Sequence, residues 1–149
     1  MASIAHYLVK IISLVLLVSL VACEPSAIDR PYGDLRLGKL QDLETDEIYF
    51  KDLRLLLRKD AKGFYVMSLM CTKDLSTLVP KTVNGRQLLV SSFTASTYDL
   101  DGKVVTGPAV TNLPYYELFV DEGQFGGPKD TLYARVGPDK GLNWRLKLE

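Results

Sequence analysis

Glycine and proline punctuate this chain, and after Pro25 only residues 39–62, 64–79 and 86–101 run for more than ten residues without one, a spacing that governs what it can fold into. A long amphipathic helix needs an unbroken run with apolar residues at helical spacing, and no such run follows residue 35. What recurs instead is period two, or a short apolar run between turn signals. Leu53, Leu55 and Leu57 alternate with Arg54, Leu56 and Arg58, which predicts a strand with one buried face and one partly wet face. Asp60-Ala61-Lys62-Gly63 reads as a turn and Phe64-Tyr65-Val66-Met67 as the returning strand. Asn84-Gly85 is a two-residue hairpin signal, because both residue types tolerate positive φ, and Gln87 to Val90 follow as a strand. Asp101-Gly102 repeats that turn chemistry between Tyr98 and Val104. Further strands are expected over 115–120, 131–136 and 144–148. There is no internal repeat and no low-complexity tract. The expectation is an all-β antiparallel sandwich or barrel of about eight to ten strands.

The N-terminus carries a different signal. His6 and Lys10 give a weakly polar start, and an apolar run of 12 residues follows from Ile11 to Ala22. Crossing a hydrocarbon core of roughly 30 Å takes about 20 helical residues, so the run is too short to span. It suits the apolar core of a signal peptide, which is roughly 7–15 residues long. Leu20-Val21-Ala22-Cys23 closes it and resembles the lipobox of bacterial lipoproteins. That resemblance implies cleavage before Cys23, acylation of its thiol and an extracytoplasmic, periplasm-facing location. A signal peptide that happens to contain a cysteine, or an uncleaved anchor, is the competing reading. Glu24-Pro25-Ser26 opens a polar, helix-poor tether. The expected division is a signal peptide at 1–22, a lipid-anchored linker at 23–33 and a β domain at 34–149.

Charge and inventory exclude several functions. Lysine plus arginine balance aspartate plus glutamate at 18 each, with no basic stripe, so nucleic acid is not an expected partner. Removing residues 1–22 takes away Lys10 and His6, leaving 17 basic against 18 acidic side chains and no histidine. With Cys23 acylated, Cys71 is the one free thiol, and no intramolecular disulfide is possible. Without histidine there is no Ser-His or Cys-His pairing, and no glycine-rich phosphate loop is present. No catalytic residues and no metal ligands are assigned.

An ordered series of residues narrows the fold. Gly63-Phe64-Tyr65-Val66-Met67-Ser68-Leu69-Met70-Cys71-Thr72 leads to Ser91, and Ser96-Thr97-Tyr98-Asp99-Leu100-Asp101-Gly102-Lys103-Val104-Val105-Thr106-Gly107-Pro108-Ala109 follows it. Asn112 to Leu118 continue in the same style, and Arg36-Leu37-Gly38-Lys39-Leu40 precedes. Over roughly residues 34–136 this series resembles the Rieske iron–sulfur domain family. The resemblance implies a β-sandwich or barrel with a small inserted subdomain of the cluster-binding type. In that family the first segment reads Cys-Thr-His-Leu-Gly-Cys and the second Cys-Pro-Cys-His-Gly-Ser. The first cysteine and the histidine of each ligate a two-iron, two-sulfur cluster, and in the respiratory type the other cysteines pair.

Here the segments stand as Cys71-Thr72-Lys73-Asp74-Leu75-Ser76 and Ser91-Ser92-Phe93-Thr94-Ala95-Ser96. Of the four ligand positions Cys71 alone is kept, with Lys73, Ser91 and Thr94 at the other three. Ser76 and Phe93 stand where the disulfide cysteines would be. A Rieske centre needs two imidazoles and two thiolates, so no [2Fe–2S] cluster is expected, and the N-terminal lipid is the one group expected to be attached. Ser96 and Tyr98 match positions whose hydroxyls bond the cluster sulfurs, and Gly107-Pro108 matches the covering loop. Either the vacated pocket takes another ligand, or these residues hold turns and strand ends together.

Met67, Met70 and Cys71 are soft donors, but two methionines three apart on a strand point to opposite faces, and core packing is the expectation. Cys71 is open to two readings: a buried inert thiol, or a redox-sensing thiol activated by Lys73. Lys73-Asp74, at what would be the cluster tip, suits a protein contact or a solvated loop. The functional expectation is a non-redox accessory or structural subunit of a respiratory or photosynthetic membrane complex, held by its lipid and contacting a protein partner. An exposed apolar face, drawn from Tyr115, Tyr116, Phe125 and Trp144, would mark the contact. The alternatives are a stand-alone ligand-binding or thiol-sensing lipoprotein, and an electron carrier with atypical ligation.

Overall fold

The computed structural model describes residues 32–43, 45–124 and 126–148. Cys23, the signal-peptide segment and Phe125 lie outside the described residues. Ten strands follow one another: β1 (Gly33–Lys39), β2 (Glu47–Phe50), β3 (Leu55–Asp60), β4 (Gly63–Ser68), β5 (Leu78–Val83), β6 (Arg86–Ser91), β7 (Thr97–Tyr98), β8 (Val104–Thr106), β9 (Tyr115–Asp121) and β10 (Thr131–Val136). A 3-10 turn at Leu40–Asp42 is the only helical element among the described residues. β1 opens at Gly33, the last residue assigned to the linker, where a φ of 90° lets the chain turn into register with Val136.

Every pairing is antiparallel. β1, β10, β9, β4, β3 and β2 form a six-stranded sheet in that order, and β5, β6, β7 and β8 form a second sheet of four. The four-stranded unit is inserted in the chain between β4 and β9, which are themselves neighbours in the larger sheet through Val66–Tyr116 and Met67–Tyr115. This is the all-β antiparallel architecture expected from the sequence, with an inserted subdomain. The Asn84-Gly85 hairpin forms as the residue types dictate, at φ of 51° and 76°.

Two cores explain the curvature. The first gathers Leu37, Leu55, Leu57, Val66, Leu118 and Leu132, with contributions from β1, β3, β4, β9 and β10, and the partly buried Ile48 and Phe50 of β2 pack on it. Six strands of one sheet reach a common core only if the sheet curls around it. The second core lies between the larger sheet and the subdomain and holds Leu56, Tyr65, Met67, Leu89, Tyr98 and Tyr115.

The reading of Leu56 as a partly wet residue is therefore corrected. Leu55, Leu56 and Leu57 are all buried, because β3 has a core on each face, and each side chain contributes about 1.5–3 kcal/mol by burial. Leu53 precedes the strand, and Arg54 sits at a φ of 51° in the turn before it. A second correction concerns 144–148. That segment forms a single bridge, Leu146 with Phe64, and lies along the β3–β4 turn without becoming a strand. The expected apolar face does not form among the described residues: Tyr115 is fully buried, and Tyr116 and Trp144 pack partly buried on the first core.

Candidate functional site

The inserted subdomain carries two loops of equal length, each closed the same way. The Cys71 amide donates to the Ser76 carbonyl at 2.9 Å, and the Ser91 amide donates to the Ser96 carbonyl at 2.9 Å. Residues 71–76 and 91–96 are the two segments singled out in the sequence. One follows β4 and the other follows β6, and the fold brings them face to face.

Side-chain hydrogen bonds join them. Ser91 Oγ, buried, is the hub: it donates to Asp74 Oδ2 at 3.1 Å and lies 2.8 Å from Ser76 Oγ. The amides of Phe93 and Thr94 donate to it at 3.1 and 2.9 Å, and the Thr94 hydroxyl at 3.2 Å. Asp74 Oδ1 also accepts the Ser76 amide at 2.8 Å. Thr94 Oγ1 lies 3.0 Å from the buried Ser96 Oγ, which accepts the Ala109 amide at 3.0 Å. The loop containing Gly107 and Pro108, with a cis bond between them, is tied to the others at that point.

Cys71 is buried beneath this network, with Sγ 3.5 Å from Tyr98 Oη and 3.9 Å from Thr94 Oγ1. Tyr98 Oη in turn accepts the Thr72 amide at 3.1 Å, and the Thr72 hydroxyl donates to the Thr111 carbonyl at 2.9 Å. Thr72 is a partner that sequence reasoning missed. Its only signal was its place in the first hexapeptide, and its role depends on where the covering loop lands.

Burial alone pushes the Cys71 thiol up. Hydrogen bonds from Tyr98, from the Lys73 and Asp74 amides and from Thr94 outweigh it, and the net direction is down. Activation by the Lys73 ammonium is thus corrected: it is the backbone of Lys73 that acts, while its side chain is exposed and outside the network. Asp74 shows the same contest more strongly. Burial favours its neutral form, yet bonds from Ser76, Thr94 and Cys71 hold the carboxyl well below the usual range. Tyr98 moves the other way, raised by burial and by its bond to Cys71.

Of the sequence-selected residues, Cys71, Asp74, Ser91, Thr94, Ser96 and Tyr98 converge and Lys73 does not. Met67 is fully buried in the junction core, and Met70 is buried beside its bridge to Thr77, so both pack. The four ligand positions do not fit a Rieske cluster. They offer one thiol, one exposed ammonium and two hydroxyls, and Thr94 and Ser91 are hydrogen-bonded directly to each other.

No protein-family description and no curated protein matches the chain. Two solved structures are similar to it. The first is the cyanobacterial plasma membrane Rieske protein PetC3 from Synechocystis PCC 6803. It is 20% identical over 68% of this chain and 99% of that one, with a TM-score of 0.40. The second is from a complex of reduced oxygenase and oxidized ferredoxin in carbazole 1,9a-dioxygenase. It is 18% identical over 80% of this chain and 100% of that one, with a TM-score of 0.41. The chain's own topology is an inserted four-stranded subdomain whose two hexapeptide loops meet beside a third loop, the arrangement expected from the sequence resemblance.

Proposed function

We infer that this chain is a membrane-tethered, cluster-free Rieske-like domain that serves as a non-redox accessory subunit of a membrane electron-transfer complex, respiratory or photosynthetic. One observation carries the reading. The loops that hold iron in Rieske proteins are here clasped by Ser91, Asp74, Ser76 and Thr94, so the tip keeps its shape without a cofactor. A tip built to be rigid and redox-silent suits a docking element. Its outer surface supports this, because Phe93 and Val110 are 86% and 90% exposed and Lys73, in the first loop, is exposed too. This apolar and cationic tip takes the place of the aromatic face expected from the sequence. The reading assigns no reaction to the chain, and membrane attachment rests on the lipobox-like Leu20–Cys23 segment.

The test is to solubilise native membranes in mild detergent, capture the protein and identify its companions by mass spectrometry. Stoichiometric cytochromes or other electron-transfer subunits, lost on Phe93→Asp/Val110→Asp substitution, are expected. Recovery of the chain alone refutes the reading. A visible absorbance band from the purified chain would instead revive the electron carrier.

The hydrogen bonds that lower the Cys71 thiol favour a second reading, a thiol-sensing lipoprotein. Full burial opposes it. Rapid labelling of Cys71 in the native state would decide for it, and slow labelling against it.

A further inference from the structure

Away from the tip, an open groove of about 870 Å³ lies between the β3–β4 turn and the C-terminal segment. Gly63 makes the close packing there possible, since a Cβ at that position would overlap the Leu146 carbonyl oxygen. The groove combines charge with apolar surface. Among the described residues Lys59, Lys62, Arg145 and Lys147 line it with one carboxylate, Asp60, in a chain whose formal net charge is zero. Leu40, Leu43, Phe64 and Leu148 supply the apolar surface.

The single acid does not neutralise the cations. Asp60 is committed to Arg145 Nε at 2.8 Å and to the Lys62 amide at 2.7 Å. Lys59 lies over the Phe64 ring at 5.0 Å, and Lys59, Lys62 and Lys147 enter no ion pair among the described residues. Glu44 and Glu149 follow groove residues in the sequence and lie outside the described residues. Arg145 is fixed by stacking on Tyr65 at 3.8 Å and by Asp60, so the groove has one held, paired cation and three lysines outside any ion pair among the described residues.

We propose that this groove binds an anionic amphiphile, a molecule with a carboxylate or phosphate head and a hydrocarbon body. Lysine cations recognise the head, and the Leu40, Leu43 and Leu148 surface takes the chain. Neither feature suffices alone: a free inorganic anion leaves the apolar surface wet, and a neutral hydrocarbon leaves the cations unpaired. The proposal is independent of the partner complex and of the tip.

Trp144, the only tryptophan, lies between two groove residues in the sequence, Asn143 and Arg145, with its ring partly buried on the first core. The full chain, in nonionic detergent, is titrated with 12-bromododecanoate, whose bromine quenches indole fluorescence at short range. Saturable quenching is expected, weakened by 0.5 M salt as exposed charges are screened. Lys59→Glu/Lys62→Glu should weaken binding at least tenfold, and Lys59→Arg/Lys62→Arg should retain it. Should the charge-reversed chain misfold by circular dichroism, Lys59→Gln/Lys62→Gln serves in its place. Equal quenching by 12-bromododecanol overturns the proposal, as does an unaffected variant. Displacement of the bromo acid by inorganic phosphate at equal concentration also overturns it, because the site then reads a free anion.

Discussion

Ser91 concentrates the logic of the tip. Its single hydroxyl answers to the amides of Phe93 and Thr94 and to the side chains of Asp74, Ser76 and Thr94. Ser91→Ala removes the acceptor of the partly buried Phe93 and Thr94 amides and one partner each of Asp74, Ser76 and Thr94, and should cost about 1–3 kcal/mol in urea unfolding. Asp74 makes a separate, pH-dependent contribution. Its folded carboxyl is held low, so as pH falls the unfolded chain takes up the proton first, from about 3.9 downward. The stability it supplies is present above that value and is lost progressively below it. Melting temperature followed against pH should therefore fall below about pH 4, and fall less steeply in Asp74→Asn. Part of the slope remains with Asp60, also held low, where burial is outweighed by Arg145. The residues of this network were legible in the sequence as two hexapeptides. Their bonding was not, because a serine hydroxyl carries no information about which loop will stand opposite it.

At the scale of elements, the turns were the most legible part. Asn84-Gly85 and Asp60–Gly63 specify their own backbone and need no distant partner. Strand facing was less so. Period two marks a strand with one wet face, and the first half of β3 has none, since Leu56 faces the subdomain while Leu55 and Leu57 face the sheet's own core. The C-terminal segment was misread for a related reason: alternation there reflects packing along the β3–β4 turn, with one bridge to Phe64 and Arg145 stacked on Tyr65. Gly63 is the point where the two elements touch, at a φ of 133° that a side chain rarely adopts. Gly63→Ala should lift the segment off the turn and cost about 3 kcal/mol, through overlap and backbone strain together. Urea unfolding measures that loss, and a red-shifted Trp144 emission in the folded state would show the displaced segment.

The whole molecule turns on β3 and β4, which give alternate side chains to both cores. Leu56, Tyr65 and Met67 face the junction with the subdomain, and Leu55, Leu57 and Val66 face the interior of the curled sheet. The Tyr65 and Tyr115 rings stack at 5.2 Å on that junction, with Tyr115 also bonded through its hydroxyl to the Asp101 carbonyl at 3.0 Å. A subdomain that opened alone would expose one whole face of these strands to water, at a cost comparable to unfolding the sheet. The two parts should therefore unfold together, as small single domains commonly do. Each has its own reporter: Trp144 packs on the sheet's core, and Cys71 is buried in the junction core. In a Cys23→Ser chain, where Cys71 is the only thiol, pulse labelling and tryptophan emission should give one urea midpoint. A thiol that becomes reactive at clearly lower urea than the emission change would mean that the subdomain opens as a separate unit. The shared strands would then couple the cores in space without coupling them in stability, and the tip would be a mobile element and not a rigid docking surface.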